Sequence, residues 1–307
     1  MGEQDTITLS KDTMYGIVIA VLACLLVVSV FTQGFGLVKT PVPQANSTQP
    51  AAQPVNNPGA QPSPQPAANQ TAPGGVKTMA LPASLNLAEP MGPANSKISL
   101  LEFSDFQCPF CGMAWGKAYA AQYAAITGTV KKFETDYVQT GKASFRFMPV
   151  AFLGDGSSTD ESVNAANAAF CAGDQGKFFE MHDAIFSAQD TNENSGKYTQ
   201  AKLEAIGATV TGLDTAKFDA CVENRTHVAE VTEFTNEWGT TSQANTGSAG
   251  TPTFYMLVDA TKATPAQVSA AATAAGFTWG VSEDKTLYVI IASPEYAKIQ
   301  QVMGALA

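Results

Sequence analysis

The sequence is poor in charge and in histidine. Charged residues make up 14% of its 307 residues, and the only histidines are His182 and His227. The net charge of −10 predicts an acidic surface, which argues against nucleic acid as a partner and against docking on anionic lipid. We also find no internal repeat and no glycine-rich phosphate loop. These absences argue against a nucleic-acid-binding protein, a repeat protein and a protein that binds phosphate through a glycine-rich loop.

The first stretch that lacks charge altogether is long enough to span a membrane. Residues 15–31, YGIVIAVLACLLVVSVF, and the milder run FGLV at 35–38 together reach the roughly 20 residues that cross a hydrocarbon core. We therefore predict a short tail over 1–14 and a transmembrane helix over 15–38. A cleaved signal peptide is disfavoured because no small-x-small site follows, and the faint lipoprotein-like box ending at Cys24 is followed by apolar residues.

The second uncharged stretch has the composition of a linker. Nine prolines lie between Pro41 and Pro73, interleaved with Gln, Ala, Asn and Ser. Such a segment cannot bury enough apolar area to offset its ordering entropy, so we predict a disordered, flexible linker over 39–76. Residues 77–307 remain for one domain with a sizeable core.

This domain has few cysteines, and only two of them are close together. Cys108 and Cys111 form a Cys-x-x-Cys, whereas Cys171 and Cys221 lie fifty residues apart. A zinc site usually needs two close pairs, or one pair with nearby histidines, and neither histidine lies at ligand spacing, so we predict no metal and no cofactor. A structural disulfide between Cys108 and Cys111 would close a loop too short to stabilise the fold much. Redox exchange is therefore the favoured role of this pair.

The residues around the pair predict a strand that runs into a helix. The strand covers 97–104, and PFCGMAWGKAYAAQYAAI, residues 109–126, predicts the helix, with Pro109 suited to its first turn. Cys108 would then lie at the helix N-terminus, where free amides and the helix dipole lower the pKa of a thiol. Since the thiolate is the nucleophile in disulfide exchange, we predict Cys108 as the nucleophile and Cys111, one turn later, as the resolving thiol.

Glu102 is an unexpected residue in the predicted apolar strand. A buried carboxylate is costly unless it is used. In one interpretation the strand end turns Glu102 into solvent. In the other, which we favour, Glu102 lies behind Cys111 and moves protons to and from that buried sulfur.

Three segments of the sequence resemble one family. LEFSDFQCPFC, residues 101–111, resembles the active-site stretch of disulfide oxidoreductases of the DsbA type, within the thioredoxin fold. FCAGDQGKFFEMHDAIF, residues 170–186, resembles the helical stretch that follows in that family. AGTPTFYMLV, residues 249–258, resembles its Thr–cis-Pro loop and next strand. The resemblance covers roughly residues 85–307.

The resemblance implies a role for each motif residue. It makes Cys108 and Cys111 the redox-active disulfide, and Glu102 matches the buried acid of the family. Thr251 and Pro252 match the loop that faces the two sulfurs, whose proline is cis. We assign four residues to the substrate-binding surface: Thr251, Pro252, Pro109 and Phe110.

The resemblance also implies an α/β, thioredoxin-like fold with a helical insertion over about 158–240. Strands are expected at 97–104, 143–149, 252–258 and 286–292, an extra helix within 261–284, and a closing helix at 294–306. Ser158 and Glu161 have the spacing of a capping box at the start of the insertion.

Cys171 and Cys221 both fall in the expected insertion. One interpretation is two separately buried thiols. We favour a structural disulfide, which some members of the resembled family have and which could contribute about 4 kcal/mol on the chain-entropy model. Such a bond implies an oxidising compartment. It would also set the membrane orientation, because Lys11 and Lys39 leave the positive-inside count tied.

Phe110 departs from the best-known members of the family, many of which carry a histidine there. Phenylalanine cannot supply the positive charge that helps to hold the nucleophile as a thiolate. A thiol with a less depressed pKa is a poorer leaving group. We therefore predict a couple that is oxidising, but less so than that of the histidine-bearing members, whose potential is about −120 mV.

Together these features predict a membrane-tethered thiol–disulfide oxidoreductase on the extracytoplasmic side of the cell membrane. Its expected substrates are reduced or unfolded secreted proteins, and a membrane oxidase, quinone-linked by family analogy, would re-oxidise it. One alternative is a reductase or isomerase of the same fold. Another is a metal-carrying or non-catalytic binding module.

Overall fold

The computed structural model describes residues 76–154 and 159–306. The predicted tail, transmembrane helix and nearly all of the predicted linker lie outside these residues. Among the helices of the described part, none combines the length and the apolar character needed to cross a bilayer.

Within the described residues, seven strands form one mixed sheet. They are β1 Thr78–Met79, β2 Pro90–Met91, β3 Ile98–Ser104, β4 Ser144–Pro149, β5 Thr253–Asp259, β6 Thr278–Ser282 and β7 Leu287–Ala292. Their order across the sheet is β1-β6-β7-β5-β3-β4-β2. The edge strands β1 and β2 are two residues each, which leaves little edge for pairing with another chain.

Strand β3 lies in the interior of the sheet, and its C-terminal end leads to Cys108 and Cys111. It pairs in parallel with β4 and antiparallel with β5. Successive side chains of a strand point to opposite faces. Ile98 and Leu100 pack in the same core as Cys108 and Cys111, whereas Leu101 and Phe103 pack in the core on the opposite face.

The described residues also contain nine α-helices. They are α1 Pro109–Trp115, α2 Thr129–Phe133, α3 Glu161–Gly173, α4 Phe178–Ala188, α5 Gln200–Gly207, α6 Thr215–Glu223, α7 Val228–Thr246, α8 Pro265–Ala275 and α9 Tyr296–Leu306. A π-helical turn over Glu134–Val138 continues α2. Helices α3 to α7 lie between β4 and β5 and form the helical insertion, which extends a few residues beyond its expected end.

Two local predictions need correction. Asp160, rather than Ser158, caps α3, and its side chain accepts a hydrogen bond from the Val163 N–H. The helix after Cys108 ends at Trp115 instead of residue 126, because Gly116 adopts φ 156°, a conformation that favours glycine. The extra helix expected within 261–284 is confirmed as α8, and strand β6 follows it.

Candidate active site

Cys108 occupies the N-cap position of α1. Its N–H donates to the Asp105 carbonyl at 3.0 Å, and its own carbonyl accepts the first helical hydrogen bond from Gly112 at 3.0 Å. Pro109 follows at the first helical position, where its missing N–H costs nothing. The chain therefore leaves β3 through a tight loop and presents Cys108 where the helix begins.

The sulfur of Cys108 is nearly covered and its pKa is lowered. The residue is 5% exposed, and its Sγ lies 3.4 Å from the Thr251 carbonyl oxygen. A hydrogen bond from the Cys111 thiol is the main cause that lowers the pKa of Cys108 to about 6. The Thr251 hydroxyl and the N–H groups of Cys111 and Phe110 act in the same direction, against the effect of burial. At neutral pH the sulfur is therefore mostly a thiolate.

The second sulfur is shifted the opposite way. Cys111 is completely buried, and burial raises its pKa well above the ordinary value. The neighbouring Cys108 and the carboxylate of Glu102 raise it further, while the hydroxyl of Ser104 lowers it. One sulfur of the pair is thus an anion at neutral pH, and the other keeps its proton and donates it as a hydrogen bond.

Glu102 and Ser104 lie behind Cys111. Glu102 is 1% exposed and Ser104 is 0% exposed, so the carboxyl group does not turn into solvent. Both residues share the face of β3 that carries Leu100, because they are two residues apart in an extended strand. Within the described residues, Glu102 Oε1 and Ser104 Oγ have no hydrogen-bond partner.

The carboxyl group of Glu102 can hold a proton near neutral pH. Burial raises its pKa to about 8, with the Cys108 thiolate adding to the rise and the Ser104 hydroxyl opposing it. A carboxyl group with this pKa can give a proton to a nearby sulfur and take it back.

Thr251 and Pro252 face the sulfurs from the start of β5. Their peptide bond is cis. The Thr251 hydroxyl is buried and has no other partner within the described residues, so it is left to donate to the Cys108 thiolate. The Thr251 carbonyl contacts the same sulfur. One residue therefore offers Cys108 both a donor and an acceptor.

Asp105 anchors the loop that precedes Cys108. Its carboxylate accepts the N–H of Gln107 at 2.8 Å, the N–H of Leu153 at 2.7 Å and the hydroxyl of Ser162 at 2.9 Å. Burial nevertheless raises the pKa of Asp105 to about 7. Asp105 therefore ties the loop before Cys108 to helix α3.

The insertion also holds the loop through two carbonyl groups. Gln189, at the end of α4, donates from Nε2 to the Phe106 carbonyl at 2.7 Å and to the Cys108 carbonyl at 3.0 Å. The Tyr198 hydroxyl donates to the same Phe106 carbonyl at 3.2 Å. Gly112 in α1 makes room for this arrangement, because a Cβ there would overlap Oε1 of Gln189.

An apolar surface lies beside Cys108. The Phe110 ring is 42% exposed and packs edge-to-face against Tyr123, which is 38% exposed, with ring centroids 5.1 Å apart. Pro109 is partly exposed next to them. Exposed aromatic rings of this kind suit contact with another apolar chain.

Cys171 in α3 and Cys221 in α6 are joined by a disulfide bond within the insertion. This bond ties two helices of the insertion together and is separate from the Cys108–Cys111 pair, which the structure holds as free thiols.

Sequence reasoning missed two residues that act on the pair. Ser104 could have been found from the strand alternation, since it lies two residues after Glu102 on the same face. Gln189 carries no such signal, because it reaches the loop from 81 residues away.

The comparisons with known proteins agree with this architecture. Residues 89–271 match the family model described as Thioredoxin. The structure is similar to that of oxidised BdbD from Bacillus subtilis, with 17% identity, a TM-score of 0.51, and coverage of 75% of this chain and 97% of that one. It also resembles DsbA of Chlamydia trachomatis, with 15% identity, a TM-score of 0.49, and coverage of 75% and 96%.

Among curated proteins, the chain is 30% identical over 158 residues to the Na(+)/H(+) antiporter NhaA 1 of Mycobacterium sp. (strain KMS). The match covers 49% of this chain and 22% of the antiporter. The chain thus spans about a fifth of the length of the curated relatives it matches.

Proposed function

Because the chain belongs to the thioredoxin family, we propose that it is a thiol–disulfide oxidoreductase that introduces disulfides into secreted or cell-surface proteins. The observation that carries this proposal is the opposite shift of two adjacent thiol pKa values. The pKa of Cys108 is lowered to about 6, and that of Cys111 is raised well above its ordinary value. An exchange catalyst needs one sulfur that leaves readily as an anion and one that keeps its proton.

The proposed reaction begins with the Cys108–Cys111 disulfide. A substrate thiolate attacks Cys108 Sγ, a mixed disulfide forms, and Cys111 leaves as a thiolate that takes up a proton. A second substrate thiolate then attacks the substrate sulfur of the mixed disulfide, and Cys108 leaves as a thiolate. Two electrons pass from the substrate to the pair, and the substrate gains a disulfide. The low pKa of Cys108 favours the last step, because a more acidic thiol leaves faster.

Glu102 and Ser104 assist the transfer of a proton to the Cys111 thiolate. Glu102, with a pKa of about 8, is mostly protonated at neutral pH and can supply it. Ser104 is the hydroxyl that influences the pKa of both groups. We assign it the role of a positioning residue between the carboxyl group and the sulfur.

The substrate surface consists of Pro109, Phe110, Thr251 and Pro252. The exposed ring of Phe110 supports binding of apolar segments, which unfolded chains present and folded chains bury. The backbone before β5 supports pairing with an extended chain, because it runs past the sulfur of Cys108.

The cellular setting belongs to the same proposal. Residues 15–38 would anchor the chain in the cell membrane, and residues 39–76 would let the domain reach substrates and a membrane oxidase, quinone-linked by analogy, on the extracytoplasmic side. The Cys171–Cys221 bond supports this location, since structural disulfides persist in oxidising compartments.

The test uses the oxidised full chain and a reduced, unfolded peptide with two cysteines. We expect the peptide to be oxidised with one equivalent of chain. Cys108→Ala and Cys111→Ala cannot form the redox-active disulfide, and both should fail to oxidise the peptide. When Cys108 of Cys111→Ala is first converted to its mixed disulfide with glutathione, a peptide with a single cysteine should displace glutathione and stay bound to Cys108 as a stable mixed disulfide. Cys24→Ser is the matched cysteine control and should react like the unchanged protein.

Two outcomes would contradict the proposal. Full turnover by Cys111→Ala would remove its assigned role. Refolding of scrambled ribonuclease that clearly outpaces dithiol oxidation would favour a reductase or isomerase instead.

A further inference from the structure

The Cys171–Cys221 disulfide lies among groups that bind metals. The two Sγ atoms and a ring nitrogen of His227 lie within 4.8 Å of one another. Asp174, which follows α3, places Oδ2 2.9 Å from His227 Nε2 and 3.9 Å from Cys221 Sγ. Sequence spacing gave no indication of this cluster, because His227 reaches it from the start of α7.

These separations are close to those of a tetrahedral zinc site. With zinc at about 2.3 Å from sulfur and about 2.0–2.1 Å from nitrogen or oxygen, neighbouring ligand atoms lie roughly 3.3–3.8 Å apart. The contacts of Asp174 with His227 and Cys221 already bracket that range. The two sulfur atoms, which are bonded to each other as a disulfide, would have to move apart to bind one ion.

A further carboxylate orients the histidine. The Nδ1 of His227 lies 2.8 Å from Glu230 Oε2, while Nε2 faces Asp174. A histidine that binds zinc usually donates its other ring N–H to a carboxylate, which fixes its tautomer and orientation. His227 has this arrangement with Nε2 as the ligand atom. The side chain of Asp174 is 55% exposed, so an ion can reach the cluster from solvent.

We propose that reduction of the Cys171–Cys221 bond creates a zinc site formed by Cys171, Cys221, His227 and Asp174. An external dithiol supplies the two electrons: the Cys171–Cys221 bond breaks, the dithiol becomes a disulfide, and both cysteines become thiols. Zinc then binds the two thiolates, and their protons pass to water. A ligand set of two thiolates and an imidazole binds zinc in preference to magnesium or calcium.

The disulfide and the metal are therefore alternative links between the same two helices. Under oxidising conditions the S–S bond holds α3 to α6. Under reducing conditions zinc replaces it and adds α7 through His227. This second site does not depend on the activity proposed for Cys108 and Cys111.

The experiment isolates the two cysteines in the full chain. A base variant with Cys24→Ser, Cys108→Ser and Cys111→Ser keeps only Cys171 and Cys221. It is reduced with a phosphine, passed through a metal-free column, and titrated with Co²⁺ and then Zn²⁺. We expect one ion per reduced chain, a sulfur-to-cobalt charge-transfer band, and no binding by the oxidised chain.

Substitutions in the base variant test the ligands. His227→Ala should weaken zinc binding at least about 100-fold, and Glu230→Gln should weaken it by about tenfold or more, as loss of an outer partner does. Glu233→Gln, on an exposed position of the same helix, is the matched control and should leave the affinity unchanged.

Thermal unfolding provides an independent readout. Zinc should raise the midpoint of the reduced base variant, because a ligand that binds only the folded state stabilises it. The proposal is overturned if the reduced chain binds no metal, if His227→Ala binds as tightly as the base variant, or if reduction unfolds the chain and zinc does not restore its circular dichroism.

Discussion

The pH dependence of the redox potential tests the ionisation of Cys108 directly. A couple that takes up two electrons and two protons falls by about 59 mV per pH unit, and one that takes up a single proton falls by about 30 mV per unit. With a Cys108 pKa of about 6, the steep slope should hold below pH 6 and the shallow slope above it. The break comes from the reduced form, since the oxidised pair carries no thiol.

The size of the effect follows from the same shift. At pH 7 a thiol with a pKa of about 6 is mostly ionised, whereas one with the ordinary value of 9.0 is almost wholly protonated. The difference stabilises the reduced form about tenfold, or about 1.4 kcal/mol, which makes the couple about 30 mV more oxidising than an unperturbed pair. A nucleophile with a pKa of about 3.5, as in DsbA itself, would add roughly 70 mV more. We therefore expect a potential well below about −120 mV.

The assay equilibrates the full chain with glutathione buffers from pH 5 to pH 8.5, then alkylates free thiols and measures the peptides by mass spectrometry. Peptide mapping separates Cys108 and Cys111 from Cys171 and Cys221, which serve as an internal reference. A slope of about 59 mV per unit across the whole range would refute the lowered pKa and, with it, the thiolate mechanism. A potential of about −120 mV at pH 7 would contradict the prediction that Phe110 makes the couple less oxidising.

Three substitutions test other parts of the structure. Ser104→Ala should slow dithiol oxidation about tenfold and shift its pH profile. The control is Ser99→Ala, which removes another buried hydroxyl without a hydrogen-bond partner from the same strand and should change neither the rate nor the profile. Equal rates for the two variants would exclude the positioning role of Ser104. Gly112→Ala should lower the free energy of unfolding in urea by about 2 kcal/mol, and an unchanged midpoint would mean that α1 does not need the space. Replacing Cys171 and Cys221 by serine should cost about 4 kcal/mol in the same assay without zinc, and a loss below about 1 kcal/mol would show that the link contributes little.

The sequence predicted the inner strands well. The starts and ends of β3, β4, β5 and β7 lie within about two residues of the expected ranges, because buried strands carry apolar runs bounded by polar or small residues. Strands β1, β2 and β6 were missed. They are short. In β6, TWGVS, the alternation consists of only two apolar residues on either side of a glycine, too little to predict a strand without its pairing to β7.

The candidate site was likewise only partly predictable from the sequence. Cys108, Cys111 and Glu102 could be proposed from spacing and from one polar residue in an apolar strand. The groups that hold them could not, because Ser162 and Gln189 come to the loop from the insertion through the topology of the chain. The sequence also favoured the helix N-terminus as the source of the low Cys108 pKa. In the structure the main donor is the Cys111 thiol, with the backbone amides in a lesser role.

The carboxylate of Asp105 has a wider consequence. It collects donors from the residue two positions ahead, from the segment before the insertion, and from the first turn of α3. The Cys-Pro-Phe-Cys motif therefore cannot be moved to another protein by itself. Grafted onto a scaffold without these partners, it would keep its spacing and lose the geometry that makes one sulfur acidic, so chemical character and fold would have to be inherited, or engineered, as a single unit.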